Sequence, residues 1–173
     1  MRYFITGGER SGKSSYAGQL ALKLDPAPVY VATARTWDDD FKARIARHQA
    51  ERSSAWTSLE AERTLSTLPL SGRVAVIDCV TLWLTNFFDD ADKDGEIAFE
   101  SFSAELSLLL EVDATLIFVS NEIGMGVHAL TAAGRKFAEL QGCANQRLAS
   151  AADTAILMVA GLPLVLKGSL PKL

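Results

Sequence analysis

The chain has 173 residues, 49% of them hydrophobic and 22% charged, with a formal net charge of −4. That length suits a single domain, residues 1–173, with a full apolar core, and a pI of about 5.2 argues against a protein that coats nucleic acid or binds membranes through a polybasic surface. The two cysteines, Cys79 and Cys143, have no CxxC spacing, so neither a metal framework nor a disulfide scaffold is expected and a reducing cytoplasm is the default.

The opening "MRYFITGG" lacks the charged start and long apolar run of a signal peptide. The strand "RYFIT" (2–6) leads into "GGERSGKS" (7–14), and a helical pattern follows over 13–24. "VYVAT" (29–33) is the second strand, and a helix is predicted over 38–52. "VAVID" (74–78) is the third strand, with a helix over 81–88. The acidic stretch "FDDADKDGE" (88–96) reads as an exposed loop; its spacing lacks the Glu that a calcium loop carries at its twelfth position. A helix over 96–111, the strand "TLIFVS" (115–120), a helix over 131–152 and the strand "TAILMVAG" (154–161) complete the pattern. "PLVLK" (163–167) is a candidate edge strand, with Pro163 suited to its start. The longest apolar stretches are too short or too interrupted to span a bilayer.

The strands are nearly apolar on both faces, as in a parallel sheet covered on both sides. Alternation with helices indicates a doubly wound α/β domain.

"GGERSGKS" matches G-x-x-x-x-G-K-S, with a strand before it and a helix after it. Glycines let the backbone fold around an anion with its N–H groups inward, and the helix N-terminus adds partial positive charge. Lys13 can reach the β- and γ-phosphates, and the Ser14 hydroxyl can ligate Mg²⁺. Asp78 ends its strand at the edge of the sheet where ligands bind; it can face the metal or cap the following helix. "TLIFVS" ends in Asn121 and Glu122 at the same edge. "SNEIGMG", with Gly124 and Gly126, is a segment that moves over substrate or a simple connection. A switch GTPase would carry N-K-x-D after a strand, and "SNEI" stands there instead.

"ARIARHQAER" (43–52) holds one of the two histidines. At about 100° per residue, Phe41, Ile45, His48 and Arg52 share a helical face, with Arg44 at its edge. His48 packs in that face or acts on phosphate. Neighbouring guanidinium groups disfavour the imidazolium, and Arg44 or Arg52 can hold phosphate oxygens. The other histidine, His128, reads as a surface loop residue.

"ITGGERSGKS", "VYVATA", "ARIARHQAER" followed by "WTSLEA", "VIDCVTLWLTN", "VSNEIGMG" and "NQRLASAAD…GLPLVLKG" together resemble the bifunctional adenosylcobinamide kinase/adenosylcobinamide-phosphate guanylyltransferase family of cobalamin biosynthesis, over essentially the whole chain. The fold expected is a P-loop NTPase-type α/β domain of RecA-like kind, a mostly parallel sheet with helices on both faces. The resemblance implies phosphorylation of adenosylcobinamide by ATP or GTP. It also implies transfer of GMP from GTP, through a guanylyl-histidine at His48, to adenosylcobinamide phosphate. It carries nucleotide contacts to Gly7, Gly8, Glu9, Arg10, Ser11, Gly12, Lys13 and Ser14; to Ala32, Thr33 and Ala34; to Gln49, Ala50, Glu51 and Arg52; and to Glu60 and Asp78. Mg²⁺ would sit on Ser14 and Asp78, and a homotrimer is implied. Without the family, Glu60 reads as a solvated loop carboxylate. The segment "HALTAAGRKF" after "GMGV" lacks a proline frequent in the family, and Gln49 stands where Arg is frequent. A P-loop small-molecule kinase without guanylyl transfer is the alternative. A nucleotide-driven regulatory module is weakened by the missing N-K-x-D.

Overall fold

A computed structural model describes residues 1–35 and 54–170. The helix expected over 38–52, with Trp37, Arg44, His48, Gln49, Ala50, Glu51 and Arg52, lies outside the described residues. Among the described residues there are seven strands: β1 (Arg2–Gly7), β2 (Val29–Ala32), β3 (Thr57–Glu60), β4 (Val74–Asp78), β5 (Thr115–Val119), β6 (Thr154–Val159) and β7 (Leu162–Lys167). The helices are α1 (Lys13–Leu24), α2 (Val80–Asp90), α3 (Gly95–Glu111) and α4 (Ala132–Ala151).

The strands form one sheet in the order β3-β2-β4-β5-β1-β6-β7. Every pairing is parallel except the β6–β7 hairpin at one edge. The P-loop strand β1 and the Asp78 strand β4 are separated by β5, in keeping with the RecA-like arrangement expected from the sequence.

Side chains alternate across each strand, and the alternation divides the core in two. Phe4, Val31, Ile77, Leu116 and Phe118 face one layer with Trp83, Phe87, Phe102, Leu106 and Leu148, which come from α2, α3 and α4. Tyr3, Ile5, Val76, Ile117, Val119 and Ile156 face the other, packed on Tyr16, Ala17 and Leu20 of α1. This is why the strands read as continuous apolar runs. Trp83 is fully buried, edge-on to Phe102 at 4.9 Å between centroids, and donates its indole N–H to the Arg63 carbonyl at 2.9 Å.

Two expectations need correction. β3 was not among the strands read from the sequence: "TSLE" has one apolar residue, Leu59, and Thr57, Ser58 and Glu60 are exposed. An edge strand needs little apolar periodicity when its backbone is held by a parallel partner, here β2. The segment 88–96 is not one loop. Phe88 belongs to α2 and packs on Phe137 of α4, and Asp94 caps α3 by accepting from the Glu96 and Ile97 N–H groups. Only the short turn between the two helices is irregular.

The register sets one row across the parallel sheet. Glu60 pairs with Ala32, Ala32 with Asp78, Asp78 with Val119, and Val119 with Ile5. The residues that follow this row therefore emerge along one edge of the sheet.

Candidate active site

β1 delivers the phosphate loop to that edge. Gly7 has φ +151°, and a Cβ there would lie 2.4 Å from the Met158 carbonyl oxygen and 2.8 Å from Ser11 Oγ. Gly12 has φ +96° and forms the N-cap of α1; a Cβ on it would meet Gly161 Cα at 3.2 Å. Both glycines are required by backbone conformation and close approach. A Cβ on Gly8 would meet nothing within 4 Å. The Gly161 N–H donates to the Ser11 carbonyl at 3.0 Å, tying the loop to the β6–β7 turn. α1 begins with no side-chain cap and no acidic residue in its first turn, so its N-terminal dipole is not offset by the chain itself.

Lys13 is 7% exposed, and its Nζ donates to the Gly8 carbonyl at 2.6 Å. Burial lowers its pKa, while Cys79, Asp78 and Glu9 pull it the other way. The acidic groups are thus near enough to act on this ammonium. Burial, with help from Asp78, pushes the Cys79 thiol up to about 12, so it stays protonated and is no nucleophile.

Asp78 is half-buried at the end of β4. It does not cap α2, whose N-cap is Cys79 with no side-chain bond. Ser14 lies exposed in the first turn of α1. A hydroxyl and a carboxylate are hard oxygen donors and suit Mg²⁺, which binds through one or two protein groups plus phosphates and water. Among the described residues no group of three or more His, Cys, Asp or Glu side chains is placed to hold a metal ion.

Thr33, one of the residues expected beside nucleotide, is tied into the protein through its hydroxyl. Thr33 is fully buried; its hydroxyl donates to the Cys79 carbonyl at 2.7 Å and accepts from the Cys79 N–H at 3.0 Å. Asn86 of α2 donates to the carbonyls of Thr33 and Glu62, each at 2.8 Å. These bonds lock the ends of β2 and β4 together beside Asp78. Ala32 and Ala34 are half-buried and small, leaving room at the edge, and Glu60 is exposed at the end of β3. Farther out, Arg35 donates to Glu62 at 2.7 Å and to Asp90 at 2.9 Å, and Arg63 donates to Asp90 at 3.0 Å. Arg35 foremost holds the Asp90 carboxyl below the usual carboxylate range.

A polar cluster beneath the 121–131 loop was not foreseen from sequence. Ser120 donates to Asn145 Oδ1 at 2.6 Å, and Gln141 donates to Ser120 Oγ and to Asn145 Oδ1, each at 3.0 Å. Asn145 then donates to the Asn121 carbonyl at 3.1 Å, and the Asn121 N–H to Thr81 Oγ1 at 3.1 Å. The Glu122 N–H donates to the Gly7 carbonyl at 3.0 Å. The signal was present as two polar residues, Gln141 and Asn145, four positions apart on the buried face of α4, but their partner Ser120 lies more than twenty residues away. Cys143, between Gln141 and Asn145 on α4, points outward and is exposed.

Glu122 and Met125 line a cleft of about 380 Å³ with Gly8, Glu9, Arg10 and Ser11 on one side and Leu157–Ala160 on the other. Ile123, Met125, Val127 and Leu130 are exposed apolar side chains in the same loop, and His128 is exposed among them. The loop rejoins α4 where Arg135 donates to the carbonyls of Ala129 and Leu130, each at 3.0 Å.

The family model described as cobinamide kinase / cobinamide phosphate guanyltransferase matches residues 3–166. The chain is 40% identical to the bifunctional adenosylcobalamin biosynthesis protein CobP of Pseudomonas aeruginosa, covering 97% of this chain and 98% of that protein. It is 32% identical to the bifunctional adenosylcobalamin biosynthesis protein CobU of Salmonella typhimurium, covering 96% of this chain and 100% of that protein. Among solved structures it is similar to the P4 protein of bacteriophage phi6 in complex with ADP, at 18% identity and a TM-score of 0.48, covering 94% of this chain and 52% of that one.

Proposed function

The chain belongs to the cobinamide kinase / cobinamide phosphate guanyltransferase family, and from that premise we propose how its residues carry both reactions of this bifunctional enzyme of cobalamin biosynthesis. The observation that carries the reading is the full-length family match, and the phosphate loop set at the same sheet edge as Asp78 fits it.

In the kinase reaction the hydroxyl oxygen of adenosylcobinamide attacks the γ-phosphorus of ATP or GTP. The bond to the β–γ bridging oxygen breaks, and the nucleoside diphosphate leaves with that electron pair. Phosphoryl transfer needs positioning and charge neutralisation more than covalent help. The amides of Gly7–Ser14 and the N-terminus of α1 surround the phosphates, and the Lys13 ammonium exchanges the Gly8 carbonyl for phosphate oxygens. Ser14 and Asp78 would hold Mg²⁺, which adds Lewis-acid charge on the phosphate oxygens.

In the second reaction an imidazole nitrogen of His48 attacks the α-phosphorus of GTP and releases pyrophosphate. The phosphate oxygen of adenosylcobinamide phosphate then attacks the same phosphorus, the P–N bond breaks, and His48 recovers its lone pair. The covalent intermediate divides one difficult displacement into two. Gln49, Ala50, Glu51 and Arg52 flank the nucleophile, and Glu60 is a carboxylate able to accept from the N1–H and N2–H₂ of guanine. Ala32 and Ala34 let the nucleotide lie close to the sheet edge. We assign the enzyme to the cytoplasm and its working form to a homotrimer, which light scattering after size exclusion tests; among the described residues no helix is long and apolar enough to cross a membrane.

The deciding experiment incubates the protein with adenosylcobinamide, ATP, α-labelled GTP and Mg²⁺. Lys13→Ala loses both products. His48→Ala keeps adenosylcobinamide phosphate but loses the acid-labile, base-stable protein label and adenosylcobinamide-GDP. A label that persists in His48→Ala would exclude that histidine as the nucleophile, and wild-type protein that phosphorylates but never takes label would leave a kinase alone.

A further inference from the structure

We propose that Glu122 is the general base of the kinase reaction, taking the proton from the acceptor hydroxyl as its oxygen attacks the γ-phosphorus; the assignment rests on the kinase reading above. The loop amides and Lys13 neutralise the phosphates but cannot receive that proton, so a carboxylate at the sheet edge is needed to take it. Sheet order limits the choice. β5 lies between β1, which carries the loop, and β4, which carries Asp78. The chain leaving β5 therefore emerges between the phosphate cradle and the carboxylate assigned to the metal.

Glu122 is the carboxylate at that exit. Its own N–H is bonded to the Gly7 carbonyl at 3.0 Å, which fixes its backbone against the first residue of the phosphate loop. Its Oε1 accepts from the Gly124 N–H at 2.7 Å, which leaves Oε2 as the oxygen for a substrate proton. The side chain is half-buried and lines the cleft with Gly8, Glu9 and Ser11. Among the described residues no Lys or Arg forms an ion pair with it, so its carboxylate is not held in a salt bridge. Glu9 is a weaker choice. It is exposed, and its carboxylate acts on Lys13, the cation the phosphates need.

The surroundings of Glu122 suit the acceptor as well. Ile123, Met125, Val127 and Leu130 expose 40%, 80%, 100% and 98% of their surface in the loop that begins at Glu122. An acceptor with an apolar bulk and one reactive hydroxyl would rest on those side chains and present the hydroxyl at the cleft. The step balances: a new P–O bond forms to the acceptor oxygen, the β–γ bridging bond breaks, the nucleoside diphosphate carries away the pair, and the proton passes to Oε2.

Glu122→Gln is the decisive variant, because its amide oxygen still accepts from the Gly124 N–H while the base is gone. Full-length protein is assayed with ATP, Mg²⁺ and cobinamide across pH. The assignment predicts a fall in kcat of about 100-fold or more, ATP affinity by calorimetry within about threefold of wild type, an unchanged melting temperature, and loss of the acid limb of the kcat profile. A kcat within about threefold, an acid limb that persists, or a rate restored by raising Mg²⁺ would overturn it. If wild-type protein does not phosphorylate cobinamide, the kinase reading falls with it; if wild type turns over and only the glutamine prediction fails, the kinase reading stands and Glu122 alone is excluded.

Discussion

Lys13 shows how one residue sets fold and chemistry against each other. Its ammonium is buried and its pKa is lowered by that burial. The folded chain therefore binds fewer protons at this site than the unfolded chain between the lowered value and 10.5. The cost of the buried charge is present at neutral pH and is relieved as pH rises through the folded pKa. Nucleotide binding runs the opposite way, since it needs the ammonium. ATP affinity measured by calorimetry should begin to fall at a pH below 10.5, the ordinary lysine value; affinity held constant up to that pH would contradict the burial argument. Lys13→Met, which keeps the length and removes the charge, should melt no lower than wild type while losing ATP affinity by about 100-fold or more, some 2.7 kcal/mol. Gly7 carries the complementary constraint. Gly7→Ala places a methyl against the Met158 backbone, and urea unfolding should show a loss of about 1–3 kcal/mol; a Gly8→Ala control, with open space around its Cβ, should lose far less.

At the scale of elements, α4 is both a core helix and the support of the sheet edge that carries the phosphate loop. Leu140, Ala144 and Leu148 bury its apolar stripe, and Gln141 and Asn145 beside them carry the polar cluster that holds Ser120 and Asn121. Asn145→Ala leaves the Ser120 hydroxyl and the Asn121 carbonyl without a partner they now have. The expected cost is about 1–3 kcal/mol in urea unfolding, with a fall in kinase kcat larger than any change in ATP affinity, since the loop rather than the phosphate cradle is displaced. The sequence made some of this legible and not the rest. Strands buried on both faces announce themselves by composition, and the G-x-x-x-x-G-K-S stretch marked one edge of the sheet, where the strand ends also bring Asp78, Asn121 and Glu122. β3 was hidden because an exposed edge strand carries almost no apolar signal. The bond between the Thr33 hydroxyl and the backbone of Cys79, forty-six residues away, had no counterpart in the local pattern. Pairings of that kind depend on strand order, which local patterning does not encode.

The whole molecule couples nucleotide to stability. The phosphate loop is tied to the β6–β7 turn through Gly161, to the segment after β5 through Glu122 and to α1 through Gly12, so a ligand bound there braces two parts of the sheet and one helix. ATP with Mg²⁺ at a hundred times its dissociation constant should stabilise the fold by about 2.7 kcal/mol. For a chain of this size that is a rise in melting temperature of about 5–11 °C. Removing Mg²⁺ with a chelator should reduce the rise if Ser14 and Asp78 share the metal with the phosphates; an identical shift with and without Mg²⁺ would remove those two residues from the metal site.

The two cysteines differ in a way that equips the native chain for optical measurement. Cys79 is buried, with its thiol pushed up to about 12, and Cys143 is exposed. A maleimide dye at neutral pH will therefore mark one position without any mutagenesis. That position lies on the outer face of α4, two residues from Gln141 and two from Asn145, on the helix that supports the loop carrying Glu122. A fluorophore there would sit clear of the cleft while riding on the element that must respond if the loop moves, so corrinoid arrival could be timed in the enzyme of native sequence, apart from nucleotide arrival.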